Sequence, residues 1–487
     1  MEKSYWTERL HPSPRTDHRT DWERDYARVV HSASFRRLQA KTQVLGLGDG
    51  DFYRTRLTHS MEVSQIGVSI TKKLYRKAKK ARQDGDETEL DSAALAHLPH
   101  PMLMNTICLA HDIGHPPFGH GGEVALNRCM LPYGGFEGNG QTLRIVTKLD
   151  KYAEGHGMNL TRRAVLGVIK YPVPFSEVVD WTIVPGGEPK APAPEAKLAR
   201  GDPAYKVVTP DGSLFVAGDF KPPKCYLDDE DQDVVLNWVA KEIPDWAKIR
   251  TSRKPKEAGK HAKTKFKCLD TSIMELADDI AYGVHDLEDA IGLGLISRRA
   301  FLHWFEDKSK RKESLSQLLD KHFDGRFDEF TRQLFECDTP ERKQAIGRMV
   351  GFFVEGTTFA EANPEFEEPL FKYQAIFKCG ACDEKAKIKD ALDTLQGLVV
   401  ELVIKTPAVQ QLEFKGQKMV SELFEAFATD PKRLLDERHY IKTIQGGGDT
   451  PTARVICDYI AGMTDNYATN RYQQLFQPRT GSVFDRL

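Results

Sequence analysis

Apolar positions along the chain recur mostly at helical spacing, with polar residues filling the intervening positions. The pattern predicts helices over about 22–40, 56–82, 102–112, 121–131, 271–291, 298–306, 313–322, 341–355, 385–404 and 416–427. Within 56–82, for example, Met61, Val63, Ile66 and Ile70 are the apolar positions of an amphipathic helix. Strict alternation, the mark of a half-buried strand, is confined to 213–217. The expected fold is therefore mostly all-α. Periodicity lapses between about 174 and 268, where a Pro- and Gly-rich stretch at 185–195 reads as an extended loop and 248–267 is basic with few apolar residues.

The densest chemistry lies between two predicted helices. In HDIGHPPFGHGGE, residues 111–123, three histidines, an aspartate and a glutamate surround a turn stiffened by Gly114, Pro116, Pro117 and Gly119. Leu103, Ile107 and Leu109 bury the preceding helix, so His111 and Asp112 arrive where that helix meets a cavity. A neutral imidazole and a carboxylate are donors that a divalent metal takes. Two adjacent residues cannot close such a site. Further candidates are His59, at the start of the helix from 56, and Asp278 or Asp279, on a helix made apolar by Ile273, Leu276, Ala277, Ile280, Ala281 and Val284. An acidic pair on a buried helix is costly unless something cationic compensates it. Three apolar helices that each carry ligand types make a metal centre the expectation.

At this point the chain resembles a known family. His59, then His111-Asp112, then a late aspartate resemble the H…HD…D signature of the HD-domain metal phosphohydrolases. Longer strings are similar to its deoxyguanosine triphosphate triphosphohydrolase (dGTPase) branch: SFRRLQAKTQ at 34–43, RTRLTHSMEV at 54–63, the 111–123 string, FEGNGQ at 136–141 and NLTR at 159–162. So are KYP at 170–172, ADDIAY at 277–282 and DYIAGMTD at 458–465, so that the likeness runs through nearly the whole chain. It implies an HD-domain helical bundle core over 1–300, including a loop-rich insertion at about 174–268, and a helical C-terminal part over 301–487 packed on that core.

The resemblance further implies hydrolysis of a deoxynucleoside triphosphate (dNTP), dGTP being the namesake substrate, to a deoxynucleoside and tripolyphosphate. Water attacks the α-phosphorus and the sugar 5′ oxygen leaves. Carried over motif by motif, the metal ligands are His59, His111, Asp112 and Asp278. Asp278 is preferred to Asp279 because the family's Tyr, here Tyr282, follows its ligand by four residues, on one helix face with Asp286 a turn further. Lys170 and Tyr171 match positions that touch the phosphates, Gln43 the residue that reads the 3′-hydroxyl, and Tyr282 the ring beneath the deoxyribose. Arg56 precedes His59 by one turn and can reach a phosphate beside the metal. The residue chemistry agrees: a leaving alkoxide needs a proton, which His115 or His120 can supply, with Glu123 one turn beyond His120 to orient it. The structural alternative is that both histidines only hold the loop. The metal's identity is left open among Mg, Mn and other transition metals, since two His and two Asp suit several.

Composition narrows the partners. A net charge of −2 over 487 residues gives no global steering toward nucleic acid. No apolar run of about 18 residues is present to suit a membrane, and a polar N-terminus argues for a cytoplasmic protein. Eight scattered cysteines form no secreted framework, and Cys379 and Cys382 make a single CxxC read as reduced thiols. Basic runs at 72–82 and 248–267 read as solvated surface; their functional alternative is a dNTP effector at a subunit interface or single-stranded DNA. A homo-oligomer is usual for the family. The rival functions are another HD-domain nucleotidase or phosphodiesterase, and a nucleotide- or DNA-binding regulator with a structural metal.

Overall fold

The computed structural model describes residues 4–12, 17–43, 54–153, 155–184, 221–228, 230–306, 309–336, 339–378, 384–445 and 452–478. The expected strand at 213–217, the loop at 185–195 and the Cys379–Cys382 pair lie outside them. The fold is all-α but for a two-stranded antiparallel sheet among the described residues, β1 (Thr357–Glu361) with β2 (Tyr373–Phe377). Neither strand was expected from the sequence. Each is only five residues long, too short for alternation to stand out from the helices around it.

Local signals set the helix ends that matter for the site. Helix α1 (Asp21–His31) opens on a capping box between Thr20 and Glu23. The chain breaks at Ser32, whose hydroxyl caps the short helix Ala33–Arg37, so the expected single helix over 22–40 is divided. Helix α2 (Arg56–Asp84) opens on Thr55, whose side chain accepts from the Thr58 amide. Helix α3 (Pro101–Ala110) starts on a proline, where the missing N–H costs nothing, and ends as His111 begins. Helix α4 (Gly119–Met130) starts directly after the His-rich turn. Helix α5 (Leu269–Gly292) carries the late aspartates.

Helices α1, α2, α3 and α5 share one large core in which α5 packs against α2, β2 and α6 (Glu384–Val399), while α3 packs against α1 and α2. A second core joins Leu126 and Met130 of α4 to Val420, Leu423 and Phe424 of α7 (Pro407–Thr429), and to Ile456 and Ile460 of α8 (Thr452–Ala461). Helix α9 (Asp465–Phe476) completes it through Ala468. Helix α7 begins nine residues before the expected start at 416, because Pro407 initiates it where the apolar stripe is still thin.

Buried ion pairs tie the segments together. Arg144, after the motif loop, grips Asp458 of α8 through Nε at 2.9 Å and Nη2 at 2.8 Å. Arg163 holds Asp270, at the start of α5, with bonds of 2.7 and 2.9 Å. The basic segment at 248–267 is folded against its neighbours rather than loose: Arg250 and Arg253 pair with Glu177, and Lys256 with Asp180. No helix among the described residues is long and apolar enough to cross a membrane.

Arg163 and Asp270 are both almost fully buried, so removing one partner strands a charge. Asp270→Ala is expected to lower the unfolding free energy by about 3–5 kcal/mol, read from urea titration, whereas a change below about 1 kcal/mol would mean the pair behaves as a surface pair.

Candidate active site

Three helices from distant parts of the chain converge on one point. His59 lies one turn into α2, His111 caps α3, and Asp278 faces them from the middle of α5. Asp278 Oδ1 is 3.1 Å from His59 Nε2 and 3.7 Å from His111 Nε2. One donor atom from each residue lies within 4.8 Å of the others, which is the grouping a metal ion needs. The His111 ring is oriented from behind: Nδ1 is 2.6 Å from the Cys108 carbonyl. Nδ1 therefore donates to that carbonyl, and Nε2 faces the cluster. Among the described residues, that Nε2 is buried without a hydrogen-bond partner. A buried imidazole nitrogen aimed at a carboxylate, with nothing to bond, fits a cation between them.

Asp112 stands beside the trio with Oδ1 3.6 Å from His111 Nε2, while its Oδ2 accepts from Arg56 Nη1 at 2.6 Å. Burial works to raise the Asp112 carboxyl, but His115, Arg56 and His111 hold it well below the usual range. Asp278 is likewise held low against burial, by His111, His59 and Lys170. Both carboxylates are thus ionised and available to a cation. Asp279, one residue on, is exposed at the cavity edge and makes no contact with either histidine.

The 111–118 turn is fixed by backbone contacts. Gly114 donates to Thr142 Oγ1 at 2.9 Å, and a Cβ at Gly114 would lie 2.2 Å from the Gly138 carbonyl oxygen. His115 Nδ1 then falls 2.9 Å from Asp112 Oδ1. Burial and the nearby Arg56 lower the His115 pKa, so the ring is neutral near pH 7. His120 is different. Its side chain is 67% exposed to the cavity, and its Nδ1 is 3.2 Å from Glu123 Oε2. Glu123 is buried and anchored, because its Oε1 accepts from the Gly138 amide at 2.9 Å. It faces His120 from behind and does not line the cavity.

A cavity of about 540 Å³ opens over these residues. Its walls include Gln43, Arg56, Lys170, Tyr171 and Tyr282 as well as His59, His111, Asp278, Asp112, His115 and His120. Lys170 Nζ lies 3.7 Å from Asp278 Oδ2. Asp286 is placed elsewhere: it is buried behind the wall, burial pushes its carboxyl up to about 7, and His59 and Arg54 oppose that shift. Sequence reasoning missed Lys224, from the middle region, whose Nζ is 2.8 Å from Glu137 Oε1 and 3.8 Å from Glu123 Oε1. It also missed the far wall, built from Val409, Leu412, Glu413 and Met419 of α7 and from Asp465 and Asn466 of α9. The 458–465 string was the one available signal for that wall.

Sequence comparisons place the chain among known proteins. The family described as phosphohydrolase-associated domain matches residues 384–474, the α6–α9 region whose helices α7 and α9 form the far wall. The chain is 43% identical to a deoxyguanosinetriphosphate triphosphohydrolase-like protein of Shewanella pealeana, with 100% of this chain and 99% of that protein covered. The protein of the same description from Shewanella sp. (strain MR-4) is also 43% identical, over 99% of this chain and 98% of its own. The chain belongs to the deoxyguanosinetriphosphate triphosphohydrolase-like family. It is thereby an HD-domain protein of the phosphohydrolases, a hydrolase family, and its His59, His111 and Asp278 cluster is a site that a metal ion fits.

The two aspartates at 278 and 279 separate cleanly by experiment. Asp278→Ala is expected to lose bound Mn²⁺ in equilibrium dialysis, with affinity down at least about tenfold, while Asp279→Ala keeps wild-type metal content. The reverse pattern would move the ligand to Asp279.

Proposed function

We propose that the protein is a metal-dependent dNTP triphosphohydrolase, converting a dNTP, dGTP among them, and water to a deoxynucleoside and tripolyphosphate. One observation carries this reading: the His59, His111 and Asp278 cluster and His120, backed by the buried Glu123, meet at one cavity that also presents Arg56 and Lys170. A site for mere nucleotide capture has no use for an exposed histidine backed by a buried, anchored glutamate.

His59, His111 and Asp278, with Asp112 beside them, would hold the divalent cation, whose charge offsets that of the phosphate and makes water a better nucleophile. The chain's own groups do the rest. Arg56 and Lys170 neutralise phosphate oxygens next to the cluster, and Lys224 adds a cation on the Glu123 side. His120 protonates the departing 5′ oxygen, and Glu123 keeps its ring aligned. His115 is a poorer donor because its ring is neutral and turned to Asp112; its part is to hold Asp112. Gln43 and Tyr282 both line the cavity, where they would take the sugar, and a Tyr packed under the ring would leave no room for a 2′-hydroxyl.

Incubation with each dNTP and with GTP, in Mn²⁺ or Mg²⁺, followed by chromatography of the products, tests the reading. Deoxynucleoside and tripolyphosphate are the expected pair, and GTP should be spared. Mono- or diphosphate products would assign a different HD-domain reaction, and no turnover with single or mixed dNTPs would favour a regulator. His120→Gln is expected to lower kcat by about 10²-fold or more with a smaller change in KM; wild-type kcat in that variant would transfer the proton to another donor.

A further inference from the structure

The groups that would do chemistry lie in the first 300 residues, yet the segments carrying them are fastened by the end of the chain. Asp465 opens α9 and is 4% exposed. Its Oδ2 accepts from the Thr42 amide at 2.9 Å and from the Thr42 hydroxyl, beside Gln43. Its Oδ1 accepts from the Phe118 amide at 2.9 Å, two residues before His120. Buried Lys41 makes a parallel stitch, donating through Nζ to the Ala461 carbonyl at 2.8 Å and to the His115 carbonyl at 2.6 Å.

Phe118 is where this grip matters. Its φ of 62° is left-handed, a conformation that a residue with a Cβ adopts only when its surroundings enforce it. Asp465 bonds its amide from one side. Gly416 of α7 closes the other, since a Cβ there would come within 2.5 Å of Phe118 Cβ. The left-handed residue turns the chain from the Pro116-Pro117 segment into α4 and so aims His120 at the cavity.

We propose that Asp465 is a positioning residue for the reaction. Its carboxylate locks Phe118 in the left-handed turn and ties the Gln43 segment to the His115–His120 loop, so that the C-terminal helices complete a site whose reacting groups all lie elsewhere. Three donors converge on two oxygens, and only a carboxylate accepts on both. An amide of the same shape must present N–H to one of the donors. The inference rests on the proposed function for its kinetic consequence, though not for its structural one.

Asp465→Asn and Asp465→Ala, made in the full-length protein, test it by two readouts. Hydrogen exchange followed by mass spectrometry should show peptides spanning 113–121 exchanging at least about tenfold faster, with the rest of α2, α3 and α5 unchanged. With dNTP and Mn²⁺, kcat should fall at least about tenfold with a smaller change in KM, while bound Mn²⁺ and Tm stay near wild type in the Asn variant. If the Ala variant does not fold, the Asn variant alone decides. Wild-type exchange and kcat in Asp465→Asn overturn the proposal, and so does a loss of kcat accompanied by metal loss and faster exchange throughout, which would mark a purely structural residue. If the wild-type protein hydrolyses no dNTP, the functional reading fails, and exchange of the 113–121 loop by itself settles whether Asp465 holds it.

Discussion

Everything in this structure is organised around the meeting of His59, His111 and Asp278, brought together by helices that are far apart in sequence. Two imidazoles and a carboxylate packed this tightly, one His111 nitrogen left without a partner, are costly to bury for stability alone. The helices that deliver them are correspondingly well buried. α2, α3 and α5 all contribute to the largest core, and the Cys108 carbonyl fixes which His111 nitrogen faces inward. A small shift of any one helix would open the cluster, so the packing of the core and the geometry of the site are one constraint.

A second layer is electrostatic. The site buries Asp112 and Glu123 and partly buries Asp278, and each is held ionised against desolvation by a cation or histidine nearby: His115 and Arg56 for Asp112, Lys224 and His120 for Glu123, His111 and Lys170 for Asp278. The same cations line or edge the cavity. Arg56, Lys170 and Lys224 thus keep the acids charged in the free protein and are already in place for phosphate oxygens. This is preorganisation in the physical sense, since little reorientation is needed when charge arrives.

Much of this was legible in the sequence, for reasons that can be traced. The convergence of His59, His111 and Asp278 could be read because each residue sits in a short local string on a strongly periodic helix. Asp286 shows where such reasoning fails. It lies eight residues after Asp278, and two such steps of four drift by about 80° around a helix, enough to turn it from the cavity wall toward the back of His59 and Arg54. Lys224 could not be found because no periodicity marks its segment, and its role depends on contacts with Glu123 and Glu137 more than 80 positions away. Asp465 lies in the 458–465 string, but the sequence does not reveal that Thr42 and Phe118 share its carboxylate. Strands β1 and β2 were missed because five residues carry too little pattern.

The central claim is that this cavity directs water to the α-phosphorus of a dNTP. Turnover of dGTP in H₂¹⁸O, with mass spectrometry of both products, tests it most directly. The account predicts a single ¹⁸O in tripolyphosphate and none in the deoxyguanosine. Label in the nucleoside, or in a mono- or diphosphate product, would contradict it.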